Sequence, residues 1–152
     1  MLHVALSAAG RRWALSASAV VEVVPLVTFT PLPHAPEYVL GLFTYRGTVI
    51  PAVDLSVLAG GAPAPRLLST RIVVVDAPDA EGRACRTGLV AEHVTDVLGG
   101  AALASGTPVS LAGAPWVAGV LAEGDGLVTC LDPRGLVPPD VRALLAPAVG
   151  AA

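Results

Sequence analysis

Apolar residues along this chain fall in short runs, most of them about 5–8 residues long, the usual strand range. Glycines, prolines and charged positions divide the runs. The runs are rich in Val, Leu and Thr, which suits a pleated, half-buried surface. The pattern predicts strands at Leu2–Ser7, Arg12–Ser16, Val21–Phe29, Gly41–Tyr45, Thr48–Leu55, Thr70–Asp76, Arg83–Glu92, Val94–Leu98, Trp116–Ala122 and Leu127–Leu131. So many short strands in one chain predict an all-β protein of small barrels rather than an open sheet, since closure removes exposed edges. Two hairpins stand out. Arg46-Gly47 separates two apolar runs, and Gly47 supplies the positive φ of a tight turn. Glu123–Gly126 has the same role between the last two strands.

Helix is scarce. Short pieces are expected at Ser16–Val20, at Glu37–Leu40 after Pro36, and at Pro139–Leu145, where Pro138 and Pro139 suit a helix start. Pro78–Gly82 reads as a charged turn and Gly99–Pro115 as a long, weakly polar loop. The stretch 59–69, with its AGGAPAPR core, is the expected junction between two lobes of one domain spanning residues 1–145. Residues 146–152 form a tail.

Composition narrows the chemistry. The chain has 152 residues, 54% hydrophobic and only 14% charged, the reverse of a disordered balance. It contains no lysine, asparagine or glutamine. The missing lysine excludes a Walker P-loop, a Schiff-base or pyridoxal site, and a receiver domain with its usual lysine. A net charge of −3 argues against nucleic acid and against a polybasic membrane anchor. The start MLHVALSAAG has no basic n-region. The charge-free run Val97–Ala122 is broken by glycines and prolines and makes a poor transmembrane helix. A soluble, cytoplasmic protein without direct membrane insertion is the expectation.

Candidate catalytic groups are sparse. Cys85 and Cys130 lack metal or redox spacing and read as buried free thiols, with a disulfide possible but not implied. His3, His34 and His93 form no ligand motif. A Cys130–His93 nucleophile would require the fold to bring distant residues together. Asp54, Asp76, Asp96 and Asp132 stand at or near strand ends, where a carboxylate ordinarily accepts backbone N–H groups. No catalytic, cofactor or metal site is expected.

Several segments carry a family resemblance. Residues 41–55, GLFTYRGTVIPAVDL, resemble the signature of the CheW family: a Gly, an apolar pair, an Arg-Gly turn, then a strand closing in Pro-x-Val-Asp-Leu. Residues 88–98, GLVAEHVTDVL, are similar to its second hallmark, and residues 117–136, VAGVLAEGDGLVTCLDPRGL, to its closing hairpin. Pro33–Val39, PHAPEYV, resembles the stretch ahead of the first hallmark. The matches fall in order from about residue 2 to 145.

The resemblance implies a fold of two small five-stranded SH3-like β-barrels that exchange segments around a shared core. It also implies a non-enzymatic scaffold that couples chemoreceptors to a CheA-type histidine kinase. The implied partners are the kinase's regulatory domain and the cytoplasmic tip of a methyl-accepting chemoreceptor. Carried over by position, the protein-binding candidates are Arg46, Val20, Gly41, Gly88 and Val94, with Glu22 close to Val20. Independently of the resemblance, an arginine on a hairpin tip extends a planar five-donor fork to a partner carboxylate or carbonyl. Tyr45, where relatives commonly carry another residue, is expected to be exposed beside Arg46 as half of a hot-spot pair. Gly41 and Gly88 have a plainer role in close backbone packing, and Val20 and Val94 in the core. Two other readings stand beside the adaptor: a divergent scaffold for a motility or gene-control pathway, and a small β-barrel hydrolase or ligand-binding protein using Cys130 or His93.

Overall fold

The computed structural model describes residues 2–78, 85–94, 97–98, 107–108, 113–123 and 126–142. The chain is all-β. Its strands are β1 (His3–Ala8), β2 (Arg11–Ser16), β3 (Val20–Pro25), β4 (Val39–Tyr45), β5 (Thr48–Asp54), β6 (Thr70–Asp76), β7 (Arg86–Glu92), β8 (Val97–Leu98), β9 (Thr107–Pro108), β10 (Val117–Glu123) and β11 (Gly126–Leu131). A single α-helical turn, α1 (Leu55–Leu58), follows β5.

The strands sort into two sets. The first runs β3-β6-β7-β5-β4, with β5 parallel to β7 and the other neighbours antiparallel. The second runs β1-β2-β11-β10-β9, with β2 parallel to β11 and β8 beside β1. The N-terminal hairpin is therefore built into a sheet completed by the C-terminal hairpin. Ser7 opposite Glu92 joins the sets into one continuous sheet. Backbone pairing does not close the first set into a ring: β3 and β4 flank an open seam. Just past β3, Thr30 bridges Leu42 with reciprocal 2.8 Å hydrogen bonds.

β6 shows why the sequence folds this way. Its Ile-Val-Val-Val run has no polar face because both faces are buried. Ile72 and Val74 point into a core inside the first set, with Phe43, Tyr45, Ile50, Ala52 and Val90. Val73 and Val75 point the opposite way, into a core shared by both sets, with Leu6, Trp13, Leu15, Val53, Leu89 and Leu136. A third, small cluster of Ala14, Leu121 and Val128 fills the second set.

Several boundaries differ from those expected. β3 stops at Pro25 rather than Phe29, because proline has no N–H to continue the ladder. The helix expected at Glu37–Leu40 is a turn, closed by the Val39 N–H donating to the Pro36 carbonyl at 2.9 Å, and Val39 and Leu40 already belong to β4. Ser16–Val20 holds a short 3₁₀ turn, Ala17–Ala19. Leu55 begins α1 instead of ending β5, since Asp54 caps the helix by accepting the Ser56 N–H at 2.9 Å. His93 has φ +50° and Val94 lies in a turn, and of the strand expected at Val94–Leu98 the described part is β8, Val97–Leu98. The expected Gly99–Pro115 loop contains β9, and its residues 99–106 and 109–112 lie outside the described residues. So do 79–82 of the Pro78–Gly82 turn, the strand start expected at 83–84, residues 95–96, residues 124–125 of the last hairpin turn, and everything beyond 142; of the helix expected at Pro139–Leu145, residues 139–142 are helical. The segment 59–69 runs from α1 to β6, both in the first set, while the chain crosses from the second set to the first at 17–19.

Gly41 and Gly47 both need positive φ, for different reasons. Gly47, at φ +80° on the hairpin tip, has open space where a Cβ would go. Gly41, at φ +136°, lies at the β4 bulge, where an added Cβ would sit 2.2 Å from the Thr30 carbonyl oxygen. We expect Gly47→Ala to cost about 1–2 kcal/mol, a backbone penalty alone. Gly41→Ala combines strain with overpacking and should cost about 3 kcal/mol or more. Urea denaturation checks this: comparable losses for the two variants would show that the Thr30 approach relaxes freely.

Candidate protein-interaction site

The hairpin between β4 and β5 turns on two residues, Arg46 at φ +48° and Gly47 at φ +80°, with Tyr45 opposite Thr48. Paired positive φ values match the right-handed twist of the flanking strands and keep the turn tight. The tip is thus a rigid mount for the Arg46 side chain, which is 64% exposed.

Glu22 reaches this tip from β3. A bulge between Val20 and Glu22 shifts the register against β6. Glu22 Oε1 accepts two hydrogen bonds, from the Tyr45 hydroxyl at 2.5 Å and from Arg46 Nη2 at 2.7 Å. The Arg46 guanidinium also lies 5.2 Å from the Tyr45 ring centroid, and Arg86 lies 5.9 Å from it. A phenol ring therefore sits among two cations and one carboxylate. The Glu22 hydrogen bond, then burial and the Glu22 charge, push the Tyr45 hydroxyl above its ordinary range, against the opposing pull of Arg46 and Arg86. The Arg46–Glu22 ion pair is open to solvent and contributes no more than about 1 kcal/mol to stability.

Of the sequence candidates, the structure brings Glu22, Tyr45 and Arg46 together. Tyr45 is not exposed as expected. It is 6% exposed, because alternation along β4 turns Val39, Gly41, Phe43 and Tyr45 to the same buried face. Its hydroxyl and ring meet the site from the buried side. Gly41 is placed at the Thr30 approach. Gly88 is buried on β7, where a Cβ would meet the Phe43 ring at 2.7 Å. Val20 and Val94 are half-buried against the shared core. Arg86 was not among the candidates. It starts β7 with no local motif, and only the β6–β7 pairing carries it to Tyr45.

The remaining candidate chemistry has structural roles. Asp54 is buried, and its second oxygen accepts the Ala64 N–H at 3.0 Å. Asp132 caps a 3₁₀ turn and accepts from the Arg134 N–H and side chain. Burial alone would raise the Asp132 carboxyl, but these bonds and the charges of Arg134 and Arg142 hold it below the ordinary range. Burial pushes the Cys130 thiol up, which disfavours a nucleophilic thiolate. Cys85 and Cys130 are free, and His93 is exposed. No helix among the described residues is long and apolar enough to cross a membrane.

The CheW-like domain model matches residues 3–139. The chain is similar to "Chemotaxis protein CheW" of Rhizobium meliloti, 33% identical over 62% of this chain and 58% of that protein. It is similar to "Probable chemotaxis protein CheW" of Rhizobium etli, 36% identical over 45% of this chain and 41% of that one. The aligned stretches thus span roughly half of these curated relatives. Among solved structures, the scaffolding protein TtCheW from Thermoanaerobacter tengcongensis superposes with a TM-score of 0.73 and 25% identity, over 89% of this chain and 86% of that one.

The site's electrostatics are measurable, since Tyr38 and Tyr45 are the two tyrosines. Both titrate above the ordinary value of 10.0, Tyr38 because of burial and the Asp140 charge. A raised folded-state value means the neutral phenol is favoured by folding. That stabilisation is present below about pH 10 and is lost as pH rises through the folded midpoint. In a spectrophotometric titration, Glu22→Gln should lower the Tyr45 midpoint and leave that of Tyr38 in place. An unchanged Tyr45 midpoint would show that Glu22 does not hold the hydroxyl.

Proposed function

The chain belongs to the CheW-like domain family, and from that premise we propose that it is a non-enzymatic cytoplasmic adaptor coupling chemoreceptors to a CheA-type histidine kinase. The observation that carries the reading to particular residues is the Arg46 mount: a rigid Arg-Gly turn whose guanidinium is oriented by Glu22 and Tyr45 yet exposed.

The geometry suits binding rather than chemistry. Glu22 occupies Nη2 of a five-donor fork, so Arg46 keeps further N–H groups for a partner. Fixing the side chain in advance reduces the entropy lost on association. Tyr45 and Arg86 add a polarised aromatic surface behind it. Together Arg46, Tyr45, Glu22 and Arg86 make a compact anchor of the kind enriched at hot spots. Val20 and Val94 pack against the shared core, and Gly41 and Gly88 allow the close approaches of Thr30 and Phe43, so these four serve the fold that carries the tip. In this reading the kinase's regulatory domain and the receptor's cytoplasmic tip are the partners, and no cofactor is required.

Arg46→Ala should change stability by no more than about 1 kcal/mol, since it removes a solvent-exposed pair. It should weaken binding to a CheA regulatory domain or a receptor-tip fragment by about 1–3 kcal/mol, roughly 5- to 150-fold. Arg46→Lys should restore part of that, having the charge but not the planar fork. Isothermal titration calorimetry beside thermal melting checks both. Full affinity in Arg46→Ala would move the interface elsewhere, and a parent protein that binds neither partner would defeat the adaptor reading.

A further inference from the structure

A cleft of about 490 Å³ opens beside α1, between the two strand sets. Tyr38 and Leu58 line it from the first set, and Trp116, Arg134, Pro138 and Pro139 line it from the second. It lies apart from the Arg46 tip: Tyr38 precedes β4 and Arg46 follows it, roughly 25 Å of strand away. Its frame is fixed. The Asp54 N–H donates to the Tyr38 carbonyl at 2.7 Å, and the Asp132 N–H to the Trp116 carbonyl at 2.8 Å. Gly135 packs so closely under Pro115 that an added Cβ would collide with the Pro115 carbonyl. Arg142 Nη2 donates to the Arg134 carbonyl at 2.8 Å, tying the segment after the two prolines back onto the preceding turn.

Two donors on the cleft's lining residues are unused. Neither the Tyr38 hydroxyl nor the Trp116 indole N–H has a hydrogen-bond partner among the described residues, and neither is sealed from water. Trp13 differs, since its indole N–H donates to the Ala8 carbonyl at 3.0 Å. The Trp116 ring rests tilted on Trp13 at 5.7 Å, which holds it in place. A half-buried aromatic with an apolar body and an unpaired polar tip is suited to a ligand that is apolar on one side and accepts hydrogen bonds on the other. Charge around the cleft is balanced. Arg134 is paired with Asp132 through Nε and Nη2, the Arg142 charge also reaches Asp132, and the Asp140 charge reaches Tyr38. Two guanidiniums offset two carboxylates, which favours a neutral occupant.

We infer that this cleft binds a neutral, proline-rich segment of a partner protein in the polyproline II conformation, with Tyr38 and Trp116 as its aromatic donors. A polyproline II backbone makes no internal hydrogen bonds, so its carbonyls are free to accept from the hydroxyl and the indole N–H. Its prolines pack on aromatic rings, and its preset conformation lowers the entropy lost on docking. A strand is less suited: Tyr38 precedes β4, Leu58 ends α1, Trp116 precedes β10 and Arg134 follows β11, so the cleft presents no strand edge for a ladder. A helix uses its carbonyls internally and would meet the two donors only through side chains. An ionic ligand finds the Arg134 guanidinium already held by Asp132.

The test uses the full chain and two labelled neutral peptides, one repeating Pro-Pro-Ala and one with every proline replaced by glycine. Fluorescence anisotropy should show the proline peptide binding the parent and the glycine peptide failing. Trp116→Phe and Tyr38→Phe each keep an aromatic ring and remove one donor, and each should weaken the proline peptide by about three- to tenfold. Tyr38→Phe deletes a single oxygen, so it answers the question even where Trp116→Phe disturbs the contact with Trp13. Adding the peptide should shift tryptophan emission in the parent and not in Trp116→Phe, a readout that a merely structural role would not move. Arg46→Ala should bind the peptide like the parent, so this cleft stands or falls apart from the adaptor reading. The inference is overturned if neither peptide binds, if the glycine peptide binds as tightly as the proline one, or if both single variants bind like the parent. It is equally overturned if the parent sediments as a dimer that Trp116→Phe disperses, which would give the cleft to a second copy.

Discussion

Burial of β5, β6 and β7 on both faces is the constraint on which the rest of the structure depends. Successive residues of β6 alternate between two cores, Ile72 and Val74 into one, Val73 and Val75 into the other. Each such side chain contributes roughly 1.5–3 kcal/mol when removed from water. A slip of one residue would exchange the two sets of side chains, so register is strongly specified. The shared core then needs a cover for its outer face. Leu6, Trp13 and Leu15 of the N-terminal hairpin supply it, with Leu131 and Leu136 from the chain's other end. That requirement draws the two ends together and accounts for the parallel pairing of β2 with β11.

The candidate site follows from the same constraint. Because β6 fixes β3 on one side and β7 on the other, Glu22 and Arg86 are carried toward Tyr45 from opposite directions in the sheet. Among the described residues, the seam between β3 and β4 has only the Thr30–Leu42 bridge for backbone pairing. At the other end of the seam, the bonds of Glu22 to Tyr45 and Arg46 join the two strands through side chains. The residues that display Arg46 therefore also hold the barrel's open edge together.

Much of this was legible in the sequence, because strand-length apolar runs and turn chemistry are local signals. The Arg46-Gly47 turn, the Thr70–Asp76 strand and the backbone-capping roles of Asp54 and Asp132 were readable from neighbouring residues alone. Segments whose fate depends on distant partners were not. Tyr45 read as exposed because it borders a charged turn, whereas alternation from Phe43 turns it inward. Leu55 read as strand because Asp54 can end a strand or cap a helix with equal ease, and the Ala64 N–H that favours the cap comes from across a loop. Arg86 carried no signal at all, since its contact with Tyr45 exists only once β6 and β7 have paired.

The central claim is that the Glu22–Tyr45–Arg46 tip, with Arg86 behind it, is the face this chain offers to its signalling partner. Amide chemical-shift mapping of the isotope-labelled full chain, titrated with a CheA regulatory domain, addresses it most directly. The account predicts that the largest perturbations fall on Glu22, Tyr45, Arg46, Gly47 and Arg86. Saturable binding that leaves those amides unmoved while shifting others, such as those of β10 and β11, would contradict it.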